Sequence, residues 1–262
     1  MQRPEAEIDL AVAALLIAKT EYPDLDVRDY LERLDGLAAD AKVPEGEPLR
    51  RLHRLREFLF EELGFRGNAG EYYDPRNSFL NDVLDRRLGI PITLSLVLIE
   101  VGRRLGLHIH GIGLPGHFIV GFKRDRCRML LDPFNGGAIL TPEGCQDVVS
   151  RLLGRPVELQ DEHFAPVTKR PFLIRMLGNL KAIYFKQEAW DKARMVSERL
   201  VVLDPVNACE VRDRGLVLAN LGALVAAARD WETYLRERPE SSDAEAVRAR
   251  LRRVRQALAA LN

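Results

Sequence analysis

Cysteine is scarce in this sequence. The 262 residues include three, Cys127, Cys145 and Cys209, and no two of them form a C-x-x-C pair. An odd number of widely spaced thiols argues against a disulfide framework. The pattern is typical of free thiols in a reducing compartment, and it therefore predicts a cytoplasmic protein.

An excess of charge of either sign is also missing. The 39 lysine and arginine residues balance the 39 aspartate and glutamate residues. A chain without a net electrostatic field has no general attraction for polyanions. We therefore predict neither a nucleic-acid partner nor an anionic membrane surface.

Long hydrophobic runs are absent as well. The longest apolar run near the start, residues 10–18, follows Glu5, Glu7 and Asp9 and has neither a basic leader nor a small-residue cleavage site. We expect this run to form a helix rather than a signal peptide. No other run is long enough to predict a membrane span.

A helical pattern, in which apolar residues recur on one face, extends over residues 1–66. Pro23, Pro44 and Pro48 divide this N-terminal helical region into about three helices. A polar stretch that begins at Gly67 then separates it from the next part of the chain.

Residues 67–160 combine helices with short strands. Residues 77–105 predict two helices, broken at Gly89-Ile90-Pro91, and the second carries one apolar stripe. The pattern then changes to the short runs of a sheet. The predicted strands are His108–Leu114, His117–Lys123 and Arg128–Asp132. This succession predicts an α+β domain with an antiparallel sheet.

From residue 166 to residue 262 no strand pattern remains, and the sequence resembles itself at an interval of 34 residues. Examples are Pro205 with Pro239 and Ala193 with Ala227. This interval is the tetratricopeptide period, in which stacked helix pairs bury their faces on one another. Two repeats are predicted, at about 174–207 and 208–241, although Arg214 occupies a position where an apolar residue is usual.

Three residues of the middle region have the chemistry of a catalytic triad. Ser95 lies near the start of a predicted helix, and His117 and Asp132 lie on neighbouring predicted strands. A hairpin centred between Arg124 and Asp125 would place His117 directly opposite Asp132, with Cβ atoms about 5 Å apart. A carboxylate can then orient the imidazole as a base for a nucleophile.

The stretch from Tyr72 to Phe134 resembles the SirB-type transglutaminase-like proteins of bacteria. The resemblance is carried by Tyr-Tyr-Asp-Pro-Arg-Asn-Ser, Gly-Ile-Pro-Ile-Thr-Leu-Ser and Leu-Pro-Gly-His-Phe. It implies a papain-like core followed by tetratricopeptide-like repeats. It also implies a site formed by the triad residues and a set of supporting residues in the cleft. The supporting residues are Asn77, Asn81, Pro115 and Gly116. Asn77 and Asn81 lie just before the core helix, where capping of that helix is the favoured role and a hydrogen bond to the cleft is the alternative.

The resemblance also exposes a chemical difference. Active transglutaminases carry cysteine at the position of Ser95, and a hydroxyl ionises far less readily than a thiol. The leading hypothesis is therefore a non-catalytic regulator that binds a protein or peptide through its helical repeats. The alternative is a hydrolase or acyltransferase in which Ser95 attacks, His117 takes the proton and Asp132 orients His117.

Two further interpretations of the same residues stand beside these hypotheses. His117 and Asp132 could be a buried pair that only ties two strands together. His108, His110 and His117 suggest a metal site, but histidines at a strand edge usually face solvent. We therefore predict no metal. We also predict no cofactor, because no phosphate-binding glycine loop is present: Gly111-x-Gly113 lies on a strand and is not followed by a helix. The sequence leaves the substrate, the partner and the oligomeric state open.

Overall fold

Three α-helices form the first part of the fold, as the spacing of the prolines predicts. The structure is a computed structural model that describes residues 4–124 and 127–260. The helices are α1 (Leu10–Ala18), α2 (Val27–Asp40) and α3 (Pro48–Arg56). Their starts are encoded locally, because the carboxylates of Asp9 and Asp26 accept hydrogen bonds from first-turn amides. Pro48 occupies the first turn of α3, where its missing N–H has no helical partner to lose.

A π-helical segment, Glu57–Glu62, continues α3 without interruption. The ring of Phe60 in this segment packs directly against the backbone of Gly137, and the stem of Arg56 lies beside it. Gly137 has a φ of 70°, so both its backbone conformation and this close contact require glycine. The segment therefore supports the loop that follows Asp132.

The two helices predicted next are α4 (Leu80–Arg86) and α5 (Pro91–Arg104). Thr93 fixes the start of α5, because its hydroxyl donates to the Asn77 carbonyl at 2.7 Å and accepts from the Ile90 amide at 3.1 Å. Every residue from Pro91 to Leu98 is buried, so α5 is enclosed on all sides over its first two turns. Such a helix forms the centre of a core.

A five-stranded antiparallel sheet packs against α5. Its strands are β3 (Ile109–Leu114), β4 (His117–Arg124), β5 (Cys127–Asp132), β6 (Ala138–Leu140) and β7 (Pro166–Val167), preceded along the chain by a separate parallel pair, β1 (Arg66–Gly67) and β2 (Leu88–Gly89). The strand order is β6-β5-β4-β3-β7, and α6 (Pro142–Leu153) follows β6. The predicted α+β fold with an antiparallel sheet is confirmed.

Helices alone make up the last part of the described chain. They are α7 (Lys169–Lys186), α8 (Trp190–Leu203), α9 (Ala208–Asn220), α10 (Leu224–Glu237) and α11 (Ala244–Ala259). Trp231 and Tyr234 of α10 are buried in a core that α11 completes. Arg214 departs from the apolar pattern because its guanidinium makes two 2.7 Å hydrogen bonds to the Asp230 carboxylate on α10.

The chain divides into two compact units, Met1–Met176 and Leu177–Asn262, and the division falls within α7. We call them the α+β unit and the helical unit. No helix in the described residues combines the length and the apolar character that a membrane crossing requires.

Candidate functional site

A cleft of about 790 Å³ lies in the α+β unit, where β4 begins and β5 ends. His117 and Asp132 lie in its wall, together with Gly116 from the turn before β4. Most of the remaining wall is apolar. It includes Tyr72, Tyr73, Phe134, Leu140, Val148, Leu152 and Leu153.

His117 and Asp132 form a buried hydrogen-bonded pair. Nε2 of His117 lies 2.8 Å from Oδ2 of Asp132, and the two residues are 4% and 0% exposed. Asn135 adds a bond from its side-chain amide to Oδ2 at 2.7 Å. The amides of Phe134 and Asn135 donate to Oδ1 at 3.1 and 3.3 Å. The carboxylate is therefore fully occupied by donors of the chain itself.

These bonds determine the charge of the pair. Burial acts to raise the pKa of the Asp132 carboxyl, but the hydrogen bonds from His117 and Asn135 outweigh burial and hold that pKa below its ordinary value. Because an ionised carboxylate can only accept, Nε2 of His117 is the donor of this hydrogen bond. No hydrogen bond engages Nδ1 within the described residues.

The register that brings the pair together differs from the predicted one. Arg124 pairs with Cys127 and Val120 pairs with Leu131, so the hairpin is centred one residue further along the chain than predicted, and each β4 residue faces a partner two residues further along β5. The turn residues 125 and 126 lie outside the described part of the chain. This register makes His117 and Asp132 diagonal neighbours rather than directly opposed residues. The prediction of direct opposition is wrong, but a two-residue shift keeps both side chains on one face of the sheet.

Arg175 of α7 stabilises the turn that carries His117 by hydrogen bonds. Its Nη2 donates to the carbonyls of Leu114 at 3.0 Å and of His117 at 2.5 Å. Its guanidinium also lies over the ring of Phe118, 5.3 Å from the ring centroid. Burial lowers the pKa of Arg175. Nothing in the sequence pattern identified this residue, because it acts from 58 positions downstream.

Ser95 lies one helical turn inside α5. The residue is 0% exposed, and within the described residues its Oγ has no hydrogen-bond partner. It does not line the cleft, and Pro91, one turn earlier, is the α5 residue that does. The structure thus places His117 and Asp132 together in the cleft wall, while Ser95 is enclosed in the core.

The supporting residues divide in the same way. Gly116 lines the cleft with a φ of 70°, whereas Pro115 occupies the turn beside it without lining the cleft. Asn77 is fully buried and holds the loop before α4, donating to the Glu71 carbonyl at 2.7 Å. Asn81 is buried, and its Oδ1 has no partner within the described residues.

Sequence reasoning missed the aromatic wall of the cleft. The ring of Phe134 lies edge-on to His117, with centroids 6.2 Å apart, and edge-on to Tyr72 at 6.0 Å. A Cβ added at Gly67 would lie 2.5 Å from the Phe134 ring, so the β1 backbone presses against it. The available signal was that Tyr72 and Phe134 are the two ends of the stretch that carries the family resemblance.

His108 and His110 line a second cavity of about 530 Å³ beside α1 and α5. His117 lines the first cleft instead, so the three histidines do not share one site. Within residues 4–124 and 127–260, no three histidine, cysteine or acidic side chains converge as a metal-binding group.

Comparison with known proteins agrees with this architecture. Residues 26–178 match the model of the transglutaminase-like superfamily, and residues 180–252 match that of the tetratricopeptide repeat. A UPF0162 protein of Xylella fastidiosa strain 9a5c is 39% identical over 93% of this chain and 89% of its own length.

More distant relatives also extend over nearly the whole chain. A UPF0162 protein of Vibrio cholerae is 27% identical over 93% of this chain and 92% of its own length. Protein SirB1 of Salmonella typhimurium is 27% identical, with coverages of 93% and 90%. No solved structure matches significantly. The chain therefore belongs to the transglutaminase-like superfamily, as a SirB-type member with tetratricopeptide repeats.

Proposed function

We propose that this protein is a non-catalytic, protein-binding member of its superfamily. The observation that carries the proposal is the position of Ser95, which is fully buried and absent from the wall of the cleft that holds His117 and Asp132. A nucleophile has to reach both its base and the substrate. A hydroxyl enclosed in a helix core reaches neither without rearrangement of α5.

The chemistry of oxygen supports the same conclusion. A thiol beside a histidine ionises near neutral pH, whereas a serine hydroxyl needs proton removal by a hydrogen-bonded base during attack. Ser95 Oγ has no hydrogen-bond partner within the described residues. The pair of His117 and Asp132 then serves to shape a binding cleft rather than to activate a nucleophile.

The tetratricopeptide repeats support a role in protein binding. Such repeats stack into extended surfaces that commonly receive peptides or protein partners. The partner of this chain is an unidentified protein or peptide, and the names of the relatives do not specify one.

The 2.8 Å hydrogen bond between His117 and Asp132 favours a second candidate function. In that alternative the protein is a hydrolase or acyltransferase: α5 shifts to expose Ser95, whose hydroxyl attacks an ester or amide while His117 takes the proton. Backbone amides near Ser95 would then hold the oxyanion.

Labelling with a broad fluorophosphonate probe separates the two candidates. We expect no labelling of the wild-type chain. Ser197 offers a matched control, because it is also 0% exposed and without a hydrogen-bond partner in the described residues. Labelling that Ser95→Ala and His117→Ala abolish and Ser197→Ala retains would establish the hydrolase and overturn the proposal.

The accessibility of position 95 provides a second test. In a Ser95→Cys variant treated with iodoacetamide, peptide mapping should show that the new thiol remains unmodified in the folded protein. The exposed Cys209 serves as the internal positive control, and both thiols should react in urea. Modification of position 95 in the folded state, at the rate of Cys209, would contradict the buried position on which the proposal depends.

A further inference from the structure

The charges around the cleft do not balance. Asp132 is fully buried, and four donors of the chain already satisfy its carboxylate. Arg151 lines the cleft from α6, where its Nε donates to the Asp147 carbonyl at 3.3 Å. No salt bridge to Arg151 is present within the described residues. The accessible charge of the cleft is therefore positive, and it favours an anionic group on whatever binds.

Apolar side chains surround this cation. Leu152 and Tyr73 are each 56% exposed and Leu153 is 40% exposed, and all three line the cleft. Exposed apolar residues that gather at the rim of a cavity mark a binding surface more strongly than single ones do. An aliphatic or aromatic side chain fits this wall, and the wall places it close to Arg151.

A free strand edge borders the same cleft. Ala138 and Leu140 of β6 line the cleft, and Ile139 between them is 52% exposed. β6 is the outer strand of the sheet and pairs with β5 on one side, while its other side has no partner strand in the described residues. Such an edge presents unpaired backbone amides and carbonyls, to which an extended peptide adds as a further strand.

We propose that the cleft binds an extended peptide segment of a partner protein. The segment pairs with the free edge of β6, inserts an apolar side chain between Phe134 and Leu152, and places a neighbouring aspartate or glutamate at Arg151. The inference rests on the proposed protein-binding function and assigns it to a surface of the α+β unit. A lipid would use the apolar wall and the cation but not the strand edge.

A positional-scanning array of decapeptides, probed with the full chain, tests this assignment. We expect selection of a leucine, isoleucine or aromatic residue next to an acidic one. The best sequence, labelled with fluorescein, then gives the Kd by fluorescence anisotropy. Leu152→Asp and Arg151→Glu should each weaken binding about tenfold or more, as loss of a central contact does. Circular dichroism verifies that each variant is folded.

Two matched controls come from the same protein. Arg155 is exposed close to Arg151 in sequence but does not line the cleft, so Arg155→Glu should leave the Kd unchanged. Val206 is 84% exposed in the helical unit, so Val206→Asp should also leave the Kd unchanged. The Arg151→Glu variant should also select a basic residue where the wild type selects an acidic one.

Backbone pairing has its own signature. N-methylation removes an amide donor, so methylating successive peptide positions should weaken binding about tenfold at alternate residues only, with the period of two that a paired strand edge imposes. Equal tolerance at every position would overturn pairing with β6. A preference without an acidic residue, a Kd insensitive to Arg151→Glu, or no selected peptide would overturn the assignment to this cleft.

Failure of this inference differs from failure of the proposed function. Peptides that bind equally well to Leu152→Asp and Arg151→Glu variants would remove the cleft as the site while protein binding stands. Labelling by the fluorophosphonate that depends on Ser95 would remove the non-catalytic function, whatever the peptides show.

Discussion

Each unit of this protein buries an aspartate, and the two aspartates have different partners. Asp132 in the α+β unit bonds to a histidine at the wall of a cleft and to donors of the following loop. Asp230 in the helical unit accepts hydrogen bonds from Nε and Nη2 of Arg214 on the adjacent helix. One carboxylate organises a loop and an imidazole, and the other joins two helices.

The difference shows how a buried charge can serve a site or a scaffold. Arg214 is permanently charged, and its hydrogen bond to Asp230 raises its pKa further. Asp132 instead has a histidine partner, His117, that lines the cleft and can contact a ligand there. Four changes break or sharpen this comparison.

The largest effect is expected from Asp230→Ala. The change leaves a guanidinium that is 27% exposed without its carboxylate, and we expect the free energy of unfolding to fall by about 2–3 kcal/mol. Glu232→Ala on the same helix is the control, because its pair with Arg255 is exposed and contributes about 0–1 kcal/mol. Tryptophan fluorescence in urea is the measurement, since Trp190 and Trp231 both lie in the helical unit. Equal losses in the two variants would contradict the scaffold role.

Gly67→Ala tests the support of the cleft wall. The new Cβ would lie 2.5 Å from the Phe134 ring, and we expect a loss of about 1–3 kcal/mol as the ring is displaced. Gly70→Ala is the control, because nothing lies within 4 Å of its added Cβ. Thermal unfolding by circular dichroism gives the difference. If Gly67→Ala does not change the thermal stability, the Phe134 ring moves aside freely.

Asp132→Asn tests the charge of the buried pair. The wild-type pKa is lowered on folding, so its stabilisation is complete above the ordinary value of 3.8 and is lost as the pH falls through the lower folded value. The variant should lose about 1–2 kcal/mol at pH 7 and should lack this part of the acid decline. Unfolding measured from pH 7 down through 3.8 gives the comparison. Parallel profiles for variant and wild type would show that Asp132 carries no such coupling.

The smallest expected effect is a gain in stability. Ser95→Ala and Ser197→Ala each remove a buried hydroxyl without a partner in the described residues, and we expect each to stabilise by about 1 kcal/mol or less. Ser150→Ala is the contrasting control, because the Ser150 Oγ accepts from the Val157 amide at 3.0 Å. Urea unfolding gives all three values. If Ser95→Ala lowers the free energy of unfolding as much as Ser150→Ala does, the Ser95 hydroxyl makes a hydrogen bond after all.

Local patterns predicted the elements of this fold well. The strand alternation predicted β3, β4 and β5 to within about one residue at each end, and Gly89-Ile90-Pro91 marked the start of α5. Such features depend on residues close in sequence. The hairpin register failed, because turn geometry rather than the alternating pattern determines which residues face each other.

The site was less accessible to sequence reasoning. Burial of Ser95 depends on what surrounds α5, and the sequence predicted one apolar stripe where the structure encloses the first two turns of the helix on all sides. The presence of Leu94 and Leu96 on either side of Ser95, both 0% exposed, was the available signal. The contacts of Arg175 and Phe134 join distant parts of the chain, and no local pattern encodes them.

The π-helical segment Glu57–Glu62 has a consequence for changes of chain length. A π-turn contains an extra residue relative to an α-turn, so deleting one residue from it would give a more regular helix. The same deletion would turn the residues beyond it by about 100° around the helix axis. Phe60 would then leave Gly137, and the loop after Asp132 would lose its support. Deleting a residue here would make the helix more regular and would remove the contact that supports this loop.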